Sequence, residues 1–332
     1  MNIIPFRGKP TTAGASALVA SLHLTPMVDQ FLGHLRLRGK SQNTCIAYAG
    51  DLRHFIAFAE QMGVVLGSQA DERLINRWID AGMLAKDWSR RTARRKLMSL
   101  HSLFQWAIGE GLALRDPTRD IRITFRPRQV VAPELEPLKR VVAAIGTDDA
   151  VDLRDRAMCL LMLDAALRAG EVVGLDLPGD ALRRPVHWVD TVGRRVCVRP
   201  KGGADDDIDV VGIEPQTAAA MVAWLRVRDR MARPGECALF VNQHGRRISR
   251  QSLYLVVRDR GAAAGLPRLH PHLFRHRRIG DIVEKLGLDV GSAQARHKHK
   301  STTVNVYGAH AAEVQRRAVR NLAPLGEIAC NG

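Results

Sequence analysis

Six of the chain's twelve histidines fall between His270 and His310, together with one of its three tyrosines. The order of the residues matters more than their number. His272 and Arg275 stand three apart in PHLFRH, His297 and His299 follow in ARHKHKSTT, and Tyr307 comes ten positions after His297. Upstream, LRAGEVVGL supplies Arg168 and Glu171, and RPKGG supplies Lys201 between a proline and two glycines. Planar cationic forks with imidazoles beside them suit a phosphate group. A phenol oxygen next to such a group is a nucleophile for phosphorus. At i and i+3 on a helix, His272 and Arg275 share one face. Either His297 or His299 could donate to a phosphate oxygen. Tyr48 and Tyr254 fall on apolar helix faces and read as core residues. Glu171 suits the orientation of a neighbouring donor.

The bulk composition agrees with a nucleic-acid substrate. The chain has 332 residues, 50 lysines and arginines against 34 aspartates and glutamates, and a net charge of +16. Such a balance attracts polyanions. With 46% hydrophobic residues it can bury real cores, and its length favours two domains. No apolar run reaches membrane-spanning length, so no membrane partner is expected. Five scattered cysteines without a CxxC fit reduced thiols in the cytoplasm and argue against structural zinc. Asp205, Asp206 and Asp207 lie in a turn where consecutive side chains diverge, so no metal site is expected there.

The elements that must position these residues are mostly helical. Residues 1–23 read as a flexible arm. Residues 24–111 hold four helices: one starting at Thr25-Pro26, one from Ser41, one over Asp71 to Leu84, and one from Ser89 whose first turns carry Arg90, Arg91, Arg94, Arg95 and Lys96. That basic entry reads as a row of phosphate contacts. Residues 112–135 hold prolines and arginines without helical period and read as a basic linker. Residues 136–332 read as a second domain, mainly helical. It holds one small antiparallel sheet, with strands at Val186 to Asp190, Arg195 to Val198 and Ile208 to Val211.

Taken together, the motifs resemble those of the tyrosine recombinases, the family of phage integrases and chromosome-dimer resolvases. DAALRAGEVVGLDL resembles the first-arginine motif (Arg168, Glu171). VCVRPKGGADDDIDVV resembles the hairpin lysine motif (Lys201). LHPHLFRH resembles the HxxR box (His272, Arg275), and ARHKHKSTTVNVYGAH the final box (His297, nucleophile Tyr307). GKSQNTCIAYAGDLRHFIAFAEQMG resembles the amino-terminal DNA-clamping segment, which adds Lys40, Ser41 and Thr44 as DNA contacts. One departure stands out: the usual Leu-Gly-His reads Ala295-Arg296-His297.

The resemblance implies a two-domain C-shaped clamp, with an N-terminal SAM-like core-binding domain and a catalytic domain that ends in a helix. It implies strand cleavage and rejoining through a 3′-phosphotyrosyl intermediate, without metal or cofactor. It implies a monomer that becomes a homotetramer on double-stranded recombination sites, with a partner recombinase or accessory DNA-binding protein as a further associate. Val314, Ala318 and Leu322 share a helical face suited to docking on a neighbour. Two other functions compete: a type IB topoisomerase-like relaxation activity, and a non-catalytic DNA-binding accessory role.

Overall fold

The computed structural model describes residues 22–85, 88–125, 133–178, 187–199 and 207–296. The arm through residue 21, Lys201, His297, His299, Tyr307 and the helix expected after it lie outside the described residues. The chain divides into two compact units, Met1–Arg128 and Gln129–Gly332.

The first unit is built from α1 (Leu24–Leu37), α2 (Gln42–Gln61), α3 (Glu72–Ala85) and α4 (Arg90–Gly109). Hydroxyl and carboxylate caps start three of them. Ser41 Oγ accepts from Thr44 N, Asp71 Oδ1 from Leu74 N and Ser89 Oγ from Thr92 N. Helix α1 starts one residue before the expected Thr25-Pro26 cap, with His23 as its flanking residue. First-turn N–H groups have no intrahelical acceptor, so Pro26 fits inside the turn. Phe55, Trp78 and Phe104 are fully buried at the centre, with Leu52, Leu100 and Leu103 around them. Each such side chain stabilises the unit by about 1.5–3 kcal/mol.

The first part of the expected linker is not a loose connector. Ile121 is buried in this core and Leu112, Ala113 and Ile123 pack against it. Arg90 Nη1 donates to Thr124 O at 3.5 Å and the Arg94 guanidinium lies 5.6 Å from the Phe125 ring centre. Isolated apolar residues among arginines carry no period, which is why sequence alone reads the segment as a connector.

The second unit contains α5 (Leu135–Ala143), α6 (Ala150–Asp164), α7 (Ala169–Val173), β1 (Leu175–Asp176), β2 (His187–Asp190), β3 (Arg195–Val198), β4 (Asp209–Gly212), α8 (Pro215–Arg228), α9 (Arg250–Ala263), α10 (Pro271–Leu286) and α11 (Leu288–Ala295). Every residue from Ala157 to Asp164 is buried, so α6 is the central helix; it packs against α8 and α10. The strand order is β1-β2-β3-β4. β2–β3 and β3–β4 pair antiparallel, with Val189 opposite Val196 and Val196 opposite Val211. β1 pairs parallel to β2, so the sheet is mixed and not purely antiparallel. A two-residue strand is too short to show an alternating period. Among the described residues, no helix is long and apolar enough to cross a membrane, and no cluster of ligating side chains could hold a metal ion.

Candidate active site

Helix α6 delivers the first group. After it, Ala166 takes a left-handed backbone (φ 51°) while fully buried, and Arg168 becomes the residue flanking α7. Glu171, on the first turn of α7, reaches back. Its Oε2 accepts from the Arg168 backbone N–H at 2.7 Å, and its Oε1 accepts from Arg168 Nη1 at 2.8 Å. The carboxylate thus fixes both ends of Arg168. Burial pushes the Glu171 carboxyl up, but Arg296 and the Arg168 amide and guanidinium pull harder, and the net shift is below the usual range.

Helix α10 delivers the second group. Arg275 is buried, 5% exposed, and its two Nη atoms donate to Ala166 O and Ala295 O. Arg168 Nη2 donates to the same Ala295 O at 3.1 Å and to Arg296 O at 3.1 Å. Two guanidiniums from distant parts of the chain therefore meet on one carbonyl oxygen at the end of α11. The Arg168 side chain stays 28% exposed, so it keeps partial access to solvent. His272, one turn before Arg275, is exposed. Loss of water around its ring, then the Arg275 and Arg168 charges, hold its pKa below the ordinary imidazole value. It is therefore neutral near pH 7 and free to accept a proton. His270 and His276 are lowered in the same direction, chiefly by burial.

Of the sequence-derived catalytic set, the structure brings Arg168, Glu171, His272 and Arg275 together. Two further features went unread in the sequence. Tyr254, expected in a core, is 47% exposed, with its ring stacked on His270 at 6.3 Å and 11°. Arg296 turns inward, its side chain 5% exposed, and donates through Nη2 to Glu171 Oε2 at 2.6 Å.

The expected DNA contacts of the first unit separate into two groups. Lys40, Ser41, Arg90, Arg91, Arg94 and Arg95 are exposed, and Thr44 is half-buried. Lys96 is not available. Its side chain is 11% exposed, its Nζ donates to Asp51 Oδ1 at 3.0 Å, and it sits 4.7 Å from the Trp88 ring centre. Asp51 also pairs with Arg95 and accepts from Ser99 Oγ at 3.0 Å. Lys96 is the residue of the basic run whose helical phase points into the core, and a buried acid balances it.

Residues 134–313 match the phage integrase family, and residues 28–111 match its N-terminal SAM-like domain. The chain belongs to the phage integrase family of tyrosine recombinases. The tyrosine recombinase XerD of Mycobacterium tuberculosis is 30% identical over 304 residues, covering 86% of this chain and 93% of its own. XerC of Pseudomonas aeruginosa is 29% identical over 283 residues, covering 84% and 88%. The recombinase fold also aligns with the Tn1549 transposon integrase solved in complex with transposon right end DNA (TM-score 0.68, 16% identity, 91% of this chain and 100% of that one). The XerH site-specific recombinase bound to a palindromic difH substrate aligns with TM-score 0.64 and 17% identity over 86% and 81%.

Proposed function

We propose that this recombinase cuts and rejoins DNA at specific sites through a covalent bond between Tyr307 and a 3′-phosphate. The phenol oxygen attacks phosphorus, the bond to the 5′-oxygen breaks, and the strand end leaves as a 5′-hydroxyl. His272 takes the phenolic proton, and Lys201 gives one to the departing oxygen. Arg168 and Arg275 bind the non-bridging oxygens and neutralise charge that builds in the transition state, and His297 adds a hydrogen bond there. Glu171 holds Arg168 in place. The phosphodiester energy is kept in the protein–DNA bond, so rejoining is the reverse attack by a 5′-hydroxyl and uses neither a nucleotide nor a metal.

The observation that carries this reading is the convergence of Arg168 and Arg275 on Ala295 O, with the neutral His272 imidazole on the same helix as Arg275. A phosphate oxygen is a stronger acceptor than a neutral carbonyl for the same forks. The relatives named as tyrosine recombinases support the substrate. Double-stranded recombination sites are the target, the working assembly is a homotetramer formed on them from free monomers, and the compartment is the cytoplasm.

The test is capture on nicked genomic DNA fragments, followed by denaturing electrophoresis and sequencing of the attached strand. The native chain is expected to retain a DNA strand through Tyr307, and Tyr307→Phe to retain none while still binding the duplex. A Tyr307→Phe chain that still forms the adduct would overturn the reading.

A further inference from the structure

Arg296 carries a guanidinium that the proposed reaction does not use. Its backbone is left-handed (φ 47°, ψ 48°), a conformation that glycine adopts freely and a long side chain seldom does. Its side chain is nonetheless buried. Nη2 donates to Glu171 Oε2 at 2.6 Å, while Nε lies 3.8 Å from Asp209 Oδ2 on β4, beyond hydrogen-bond reach. Among the described residues, Nε and Nη1 have no hydrogen-bond partner. Removal from water and the nearby Arg168 charge disfavour the cationic form, and Glu171 is the acid that favours it most. An arginine with no task here would extend its charge into water.

The hydrogen bonds close a ring. Arg168 Nη1 donates to Glu171 Oε1, Arg296 Nη2 donates to Glu171 Oε2, and the Arg296 carbonyl accepts from Arg168 Nη2. One residue thus grips Arg168 twice, with its own peptide oxygen and through the carboxylate. One negative charge is also shared between two positive ones. If Glu171 faced Arg168 alone, it would neutralise the charge needed at the phosphate and draw the fork toward itself.

We infer that Arg296 is a positioning residue for Arg168: it draws on the Glu171 carboxylate and so leaves the Arg168 guanidinium aligned, with its charge less offset, toward the scissile phosphate. This rests on the recombinase reading above.

The experiment is single-turnover adduct formation on a nicked substrate carrying the captured site. Native adduct formation is established first, so that failure of the recombinase reading is told apart from failure of this inference. Arg296→Gly keeps the carbonyl and suits the backbone. Its rate constant is expected to fall about tenfold to a hundredfold, with the DNA concentration at half-saturation little changed. Arg296→Lys, which keeps a cation for the Glu171 carboxylate on the same backbone, should restore much of that loss. Arg296→Gln, which keeps much of the bulk without the charge, should stay as slow as Arg296→Gly, a difference from lysine that mere packing would not produce. Arg296→Asn, which also tolerates this backbone, replaces glycine in the comparison if Arg296→Gly melts early. A native rate in Arg296→Gly, or no recovery in Arg296→Lys, would overturn the inference.

Discussion

Ala295 O accepts from two guanidiniums, and the consequences for chemistry depend on fork geometry as much as charge. Arg275→Lys keeps the positive charge but cannot reach Ala166 O, Ala295 O and a phosphate oxygen together. Its adduct-formation rate is expected to drop by about 10²–10³-fold, measured by single-turnover gel assay, with duplex affinity nearly unchanged. The neutral His272 gives a second prediction. Its pKa is depressed in the folded chain, so the base form is complete at neutral pH and is lost as pH falls through that depressed value. The cleavage rate should stay level down to the ordinary imidazole pKa of about 6.5 and decline below it. A pH–rate profile whose acid limb is centred above that value would contradict the assignment. These residues were legible in the sequence because their spacing is fixed by helix geometry and motif order. Arg296 was not legible. In a run such as ARHKHK, an arginine reads as one more solvated charge, and only its left-handed backbone and inward side chain reveal otherwise.

Elements hold this geometry by close approach. A Cβ added at Gly291 would stand 2.2 Å from Val283 Cγ2, so α11 lies against α10 at a distance that only glycine permits. Val283 is fully buried and β-branched, so it has little room to rotate away. Gly291→Ala should lift α11, carry the Ala295 and Arg296 carbonyls off the two arginines, and cost about 1–3 kcal/mol of stability. Val283→Ala in the same chain removes the offending methyl groups and should recover adduct formation. Thermal melts and cleavage rates measured on the single and double variants check both parts. In the first unit, Asp51 does comparable work. Asp51→Ala would leave the Lys96 ammonium buried without its acid, a loss of about 3–5 kcal/mol, read by urea denaturation. Helix positions were readable because caps and glycines mark their ends: Gly39, Gly63 and Gly111 all take positive φ just past a helix. The two-residue β1 was not readable. Its place in the sheet comes from partners, with Leu175 paired to His187 and its carbonyl accepting from Leu239 N at 2.8 Å.

At the scale of the whole molecule, the excess of sixteen positive charges is the property that composition alone conveys, but composition cannot say which cations are spent internally. Many are. Arg154, Arg228, Arg260 and Arg277 pair with acids or carbonyls of the second unit. Lys96 is spent on Asp51, although it lies in the most basic stretch of the first unit. The helical phase decides its fate: Ala93, Lys96, Leu97 and Leu100 lie on the buried face of α4, and Arg91 and Arg94 on the exposed one. Each phosphate neutralised by the chain releases counterions, so the logarithm of DNA affinity falls linearly with the logarithm of salt concentration. Arg91→Ala should weaken binding and reduce the magnitude of that slope by about 0.9, the share of one phosphate contact. Lys96→Met removes the same formal charge from the same helix and should leave the slope unchanged, because its ammonium is buried against Asp51. Fluorescence anisotropy on one duplex over a salt series separates the two variants. Equal slope changes would mean that net charge, and not the orientation set by the α4 core, governs how this chain meets DNA.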